Sequence, residues 1–278
     1  MDSKMPITIV DASYNIPGST GNPKEEHFLK RIPGAKFFEV DEIADKSTKY
    51  PHMMPTNEMF CMFMKKLRIK NDDNLLVCYD RLGMISSPRV WYTFKLFGKK
   101  NVAVLDGGLP KWLAEGHPLE SSKYDIYQDD KTENDQDYMF SLDKSKIMNL
   151  DKVKKVSKEL VENKTGSNWQ ILDARSSGRF QGTAPEPRPG LRSGSIPGSI
   201  NTFFMSLYNE DKTFKSPEEM RKIFESAGVN FDENINVINS CGSGMTACIN
   251  ILALKAIGKS NTSLYDGSWM EWGEVIKP

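Results

Sequence analysis

Apolar and polar positions follow two rhythms along this chain. Short apolar runs that end in turn residues read as buried strands: ITIVDAS, NLLVCYD and NVAVLDG in the first half, WQILDA, INVINS and TSLYDG in the second. Between them lie stretches with helical spacing: TNEMFCMFMKKL, SPRVWYTFKLFG, SPEEMRKIFESAG and TACINILALKAIG. The clearest is SPEEMRKIFESAG. Ser216 can cap it, Pro217 suits its first turn, and Glu219 completes a capping box. Met220, Ile223, Phe224 and Ala227 form its apolar stripe, and Gly228 can end it. Strands alternating with helices predict an α/β fold with mainly parallel sheets covered on both faces. Ligands bind such sheets beyond the carboxyl ends of their strands.

The same order of elements occurs twice. NVAVLDGGLPKW ends at Trp112 and NTSLYDGSWMEW at Trp272, an offset of 160 residues. At that offset Thr56 matches Ser216, Gly98 matches Gly258 and Asp106 matches Asp266. Upstream, with small insertions, Ala12 matches Ala174 and Pro33 matches Pro197. Matches in one order over a whole half-chain indicate a duplicated domain. We expect a first domain over 1–122, a polar and acidic linker over 123–145, and a second domain over 146–278. The second copy opens with a further helix, LDKVKKVSKELVEN, which the first copy lacks.

Composition narrows the function by exclusion. The 278 residues carry 37 Lys and Arg against 37 Asp and Glu, so charge offers no case for a nucleic-acid or anionic-membrane partner. No run of about 18 apolar residues could span a bilayer. The first residues show neither a secretory nor an organelle-targeting pattern, and the expected location is cytoplasmic. Four cysteines are too few for a disulfide scaffold, and three histidines without metal-ligand spacing argue against a zinc site. No cofactor is expected.

One cysteine stands apart. INVINS runs directly into Cys241-Gly242-Ser243-Gly244-Met245-Thr246 and then a helix. A Gly-rich turn at a strand's carboxyl end, before a helix, lets backbone N–H groups converge on an anion. If that anion is the Cys241 sulfur, the thiolate is favoured at neutral pH. Cys61, Cys78 and Cys248 fall within predicted elements and read as core residues. In the first copy Asp80 stands where Cys241 would be, so that copy lacks the nucleophile. A cysteine-dependent phosphatase would need Arg six residues after the cysteine, where this chain has Ala247. A papain-like hydrolase would need a His from elsewhere in the fold, which spacing does not exclude.

The tandem copies, the D-G-G and D-G-S-W repeats and the run Cys-Gly-Ser-Gly-Met-Thr-Ala together resemble the two-domain rhodanese family of sulfurtransferases over nearly the whole chain. Within the family, thiosulfate-type members carry basic residues after the cysteine, whereas the Gly242-Ser243 loop resembles the 3-mercaptopyruvate type. The chain departs at Met245, where Val is usual. The resemblance implies two rhodanese-like domains, a noncatalytic first and a catalytic second. It implies sulfur transfer from 3-mercaptopyruvate through a Cys241 persulfide to thioredoxin, a small thiol or cyanide.

It also implies roles for particular residues. Arg179 and Arg188, in an insertion the first copy lacks, would hold the substrate carboxylate and carbonyl, beside the loop residues Gly242, Gly244, Met245 and Thr246. Asp41, His52 and Ser243 would form a proton relay. His27 and His117 have no such support and read as structural. Family members often have His before I-P-G, whereas here Arg31 and Ser195 stand there, a detail of stability. The alternatives are a thiosulfate:cyanide sulfurtransferase, a protein-directed sulfur relay such as one serving tRNA thiolation, and a noncatalytic scaffold. The family also includes mitochondrial members.

Overall fold

The computed structural model describes residues 6–128, 134–163 and 166–276. Its backbone divides into two compact units. The first takes the chain up to Ser47, Met54–Lys144 and Asp211–Thr213; the second takes Thr48–Met53, Ser145–Glu210 and the chain from Phe214.

The first unit contains, in order, β1 (Ile7–Asp11), α1 (Pro23–Leu29), β2 (Lys36–Phe37), α2 (Asn57–Lys66), β3 (Leu75–Tyr79), α3 (Ser87–Leu96), β4 (Val102–Val104) and α4 (Gly108–Ala114). Its four strands are parallel, in the order β2-β1-β3-β4. The second unit contains β5 (Ile147–Met148), α5 (Leu150–Glu162), β6 (Trp169–Asp173), α6 (Ser177–Gln181), β7 (Ile200–Asn201), α7 (Pro217–Ser226), β8 (Asn236–Ser240), α8 (Ala247–Ala256), β9 (Thr262–Tyr265) and α9 (Ser268–Val275). Its sheet is also parallel, in the order β5-β9-β8-β6-β7. The core of both sheets is therefore one pattern, with β1, β2, β3 and β4 answering to β7's neighbour β6, then β7, β8 and β9. The edge strand β5 and helix α5 are the addition that opens the second copy.

Local chemistry sets the helix ends as the sequence implies. Ser216 accepts from the Glu219 N–H at 3.3 Å while Glu219 reaches back to the Ser216 N–H at 3.0 Å, a complete capping box. Along α7 only Met220 and Phe224 are fully buried; Ile223 and Ala227 lie at the edge of the covered stripe. Thr56 caps α2 with its side chain alone, accepting from the Met59 N–H. In the first core, Phe60 stacks on Phe97 with centroids 3.9 Å apart, and Phe140 meets Phe60 edge-on. In the second, Val153 and Val156 of α5 pack with Ile171, Ile238, Trp269 and Trp272.

The segment expected to be a linker over 123–145 is not a free connector. Its described residues up to Lys144 belong to the first unit. Ile126, Tyr138 and Phe140 are buried, and Cys61 of α2 meets the Phe140 backbone. Its polar character is real, but these few apolar side chains are enough to anchor it. The second difference is the short segment Thr48–Met53, which falls within the expected first domain but is part of the second unit. Arg31, before I-P-G, is buried and binds Glu120 and Ser122, which ties the end of the first copy to its body.

Candidate active site

Cys241 lies immediately after β8 and is 1% exposed. The six residues Cys241–Thr246 turn the chain into α8, with Gly244 at φ +77, a conformation that favours glycine. The N-cap residue Thr246 makes no side-chain capping bond, so the start of α8 is open towards the loop. Three consecutive residues at the start of α9 brace the loop. The Cys241 N–H donates to Ser268 Oγ at 3.2 Å, the Trp269 N–H donates to the Cys241 carbonyl at 3.0 Å, and the Met270 N–H donates to the Gly242 carbonyl at 3.0 Å. From α8, the Cys248 thiol donates to the Gly244 carbonyl at 3.5 Å, so this core cysteine also steadies the turn.

The insertion after β6 brings an arginine to this loop. Arg179, on α6, sits so close to Gly242 that a Cβ there would come within 2.9 Å of Arg179 Nη2. Its guanidinium is held by Glu186, with Nη2 donating to Oε2 at 2.6 Å. Glu186 is almost fully buried and also accepts from Arg175 Nη1 at 2.7 Å. Arg175 in turn donates to Asp173 at the end of β6 and lies 4.5 Å from the Trp269 ring centroid. Burial disfavours the Arg175 charge, but Asp173 and Glu186 outweigh it and hold the guanidinium above its ordinary pKa. The result is an alternating chain, Asp173–Arg175–Glu186–Arg179, that ends beside the cysteine loop.

Arg188 is held differently. Its Nη1 donates to the Met270 sulfur at 2.9 Å, and its Nη2 lies 3.4 Å from His52 Nε2. His52 is buried, with a left-handed backbone at φ +61. The segment that carries it is fastened to α9, where Glu274 pairs with Lys49 and hydrogen-bonds Tyr50. The structure thus brings Arg188 and His52 together, and Arg179 and Gly242 together. Gly242 and Ser243 are half-buried in the loop, and Met245 is buried. Asp41 belongs to the first unit, where it is exposed and lines a cavity of about 200 Å³ with Glu39, Glu42 and Lys24.

The first unit shows what an equivalent loop does without a thiol. Asp80 follows β3 as Cys241 follows β8, and it is fully buried. Its carboxylate accepts from the N–H groups of Leu82 at 2.9 Å, Ser86 at 3.0 Å and Ser87 at 2.8 Å, and from the Ser87 hydroxyl at 2.8 Å. Burial pushes the carboxyl pKa up while these donors oppose the shift. Cys78, inside β3, is pushed far up by burial alone and is inert. His27 is buried between Asp11 and Tyr124, at 2.8 Å from each, and ties the helix α1 to the sheet.

Sequence reasoning passed over Glu186, Ser268, Trp269 and Met270. Glu186 stood unassigned between two arginines of interest. The other three lay in the repeated segment NTSLYDGSWMEW, which marked the duplication but carried no role.

Comparison with known proteins agrees with this architecture. The model of the rhodanese-like domain matches residues 2–115 and 156–274. A thiosulfate/3-mercaptopyruvate sulfurtransferase of Arabidopsis thaliana, named as mitochondrial, is 39% identical over 96% of this chain and 71% of its own. A thiosulfate sulfurtransferase of Bos taurus is 37% identical over 98% of this chain and 86% of its own. Among solved structures, the Tum1 protein of Saccharomyces cerevisiae superposes with a TM-score of 0.87 at 34% identity, covering 99% of this chain and 90% of its own.

Proposed function

This chain belongs to the rhodanese-like family, and from that premise we propose that it is a sulfurtransferase whose donor is 3-mercaptopyruvate and whose sulfur carrier is Cys241. The observation that carries the reading is the position of Cys241: after a central strand, in a loop that opens on the start of α8, with the Arg179 guanidinium beside Gly242 and with Met270, which braces the loop, in contact with Arg188. The equivalent loop of the first unit wraps its N–H groups around a carboxylate, so this backbone plan suits an anion. In the second unit the same place in the turn is taken by the Cys241 sulfur.

The Cys241 thiolate attacks the thiol sulfur of 3-mercaptopyruvate. An S–S bond forms, the C–S bond breaks, and its electron pair leaves with carbon as the enolate of pyruvate, which takes up a proton. Arg179 and Arg188 hold the carboxylate and carbonyl of the donor, and the charge that develops on the enolate lies against them. Gly242, Gly244, Met245 and Thr246 shape the loop around the sulfur. Ser243 and His52, both of the second unit, move protons in this reading. A thiol acceptor, thioredoxin or a small thiol, then attacks the outer sulfur of the persulfide and restores the Cys241 thiolate. Cyanide serves the same step and yields thiocyanate. No resident metal or organic cofactor enters the scheme. The cytoplasm, where thiol acceptors stay reduced, is the proposed location; the mitochondrion named for the Arabidopsis relative is the alternative that imaging of a tagged chain would reveal.

A thiosulfate donor is the second reading, favoured by the resemblance to the bovine enzyme. Gly242 and Ser243 add no cation to the loop itself, which favours the keto acid over a dianion. The test sets pyruvate release from 3-mercaptopyruvate with a reducing thiol against thiocyanate formation from thiosulfate and cyanide. Preference for mercaptopyruvate, lost in Cys241→Ser, is the expected result. Preference for thiosulfate would overturn the donor and keep the persulfide, and inactivity on both would move the reading to a noncatalytic scaffold.

A further inference from the structure

The two arginines of the site are held by opposite kinds of partner. Arg179 is paired with the buried carboxylate of Glu186, which offsets its charge. Arg188 has no carboxylate within ion-pair distance among the described residues; its contacts are the Met270 thioether and the His52 ring. Arg188 also lies on an irregular stretch between α6 and β7, flanked by Pro187 and Pro189, so no helix or strand fixes its direction. Met270, by contrast, is fixed twice over. It sits in the first turn of α9, and its N–H is bonded to the Gly242 carbonyl of the cysteine loop.

We propose that Met270 is a positioning residue that sets both the place and the effective charge of Arg188. A thioether is a weak, neutral acceptor. It can orient a guanidinium N–H without cancelling its charge, as a carboxylate would. The loop that holds the nucleophile and the arginine that meets the donor's carboxylate are thereby set by one residue, through its backbone and its side chain. The counterpart in the first unit is Pro110, which has neither an N–H nor a side-chain acceptor. The proposal rests on the reading that Arg179 and Arg188 together hold the donor's carboxylate and carbonyl; it gives the carboxylate to Arg188 and extends the reading to selectivity: the site prefers donors with a carboxylate because the Arg188 charge is left open.

The test compares Met270→Leu, Met270→Gln, Met270→Glu and Arg188→Ala in the full chain. Two quantities are read: KM against kcat for 3-mercaptopyruvate, and the ratio of Cys241 alkylation rates by iodoacetate and iodoacetamide, mapped by peptide mass spectrometry. The reagents differ chiefly in a carboxylate, and their ratio reports positive charge at the loop whether or not mercaptopyruvate is the donor. Loss of one modest hydrogen bond predicts that Met270→Leu raises KM and lowers the alkylation ratio by about fivefold. Met270→Gln, a neutral acceptor, should restore both. Met270→Glu, which holds Arg188 but neutralises it, should lower the ratio at least as far as Met270→Leu. Leu and Gln variants that both match the wild type would overturn the positioning role. An unchanged ratio in Arg188→Ala would overturn the assignment of Arg188 and the proposal with it. Absence of pyruvate release by the wild type, with the alkylation pattern as expected, would sink the donor reading and leave the role of Met270 standing.

Discussion

In the loop after β3 the Asp80 carboxylate takes three N–H groups and a hydroxyl within 3.0 Å. In the loop after β8 the equivalent position holds Cys241, and no carboxylate of its own loop fills the turn. The two loops share a central strand, a glycine with positive φ three residues on (Gly83 and Gly244) and a following helix of ten residues. They differ by one residue in length and in what surrounds them. Around Asp80 the next residue, Arg81, turns to Glu26 and Asn15. Around Cys241 the next residue is glycine, and an arginine from another element occupies the space beside it. A parallel sheet carries the same kind of turn in both units; in the first a buried carboxylate takes up the N–H groups of the turn, and in the second the position holds a thiol, with the Arg179 guanidinium beside the loop.

This comparison can be broken at several points. The largest effect is expected at the nucleophile: Cys241→Ser should lower turnover by about a thousandfold or more, read as pyruvate release. Intact-mass measurement after exposure to donor should then show no added sulfur. If activity survives, the contrast between the two loops has no catalytic meaning.

Glu186→Gln tests the charge chain that exists only in the second unit. Removing the shared carboxylate leaves two guanidinium groups without their partner, one of them buried with Asp173. A loss of about 3–5 kcal/mol in denaturant unfolding is expected. Glu26→Gln, at the half-exposed pair with Arg81 in the first unit, should cost a small fraction of that.

Asp80→Ala should destabilise by about 2–3 kcal/mol, because the loop donors lose their acceptor in a buried place. The folded protein should still take up sulfur at Cys241. Loss of sulfur uptake without loss of stability would contradict the reading of Asp80 as a structural anion.

The smallest effect concerns the segment that carries His52. Hydrogen bonding between Lys49 and Glu274 holds the ammonium pKa above and the carboxyl pKa below their ordinary values. The sign follows for each. The Glu274 contribution is complete above the free carboxylate pKa and fades as pH falls through the lowered folded value. The Lys49 contribution is complete below the free ammonium pKa and fades as pH rises through the raised folded value. Near neutral pH the fastening is therefore insensitive to pH, and it weakens in acid and in high salt. Glu274→Gln should shift the KM for mercaptopyruvate less than Arg188→Ala does, in paired kinetic runs.

The duplicated order of strands and helices, the capping box at Ser216 and the position of Cys241 were all legible in the residues. Each depends on contacts between near neighbours or on a pattern that repeats. Arg179 and Arg188 were singled out by the family resemblance and by lying in an insertion that one copy lacks. Their different surroundings were not legible, because Glu186 and Met270 are brought to them by the path of a loop and the start of a distant helix. The linker was misjudged for a related reason: average polarity hid the anchors Ile126, Tyr138 and Phe140.

Local rules thus account for the elements, the repeat and the residue that can act as nucleophile, since periodicity, caps and glycine turns are properties of a short stretch of chain. Tertiary structure decided which unit the His52 segment joins, which arginine meets a carboxylate and which a thioether, and which side chains brace the cysteine loop. Those outcomes depend on distances between residues far apart in sequence, and electrostatic and hydrogen-bond energies change over a few ångströms that no local pattern encodes.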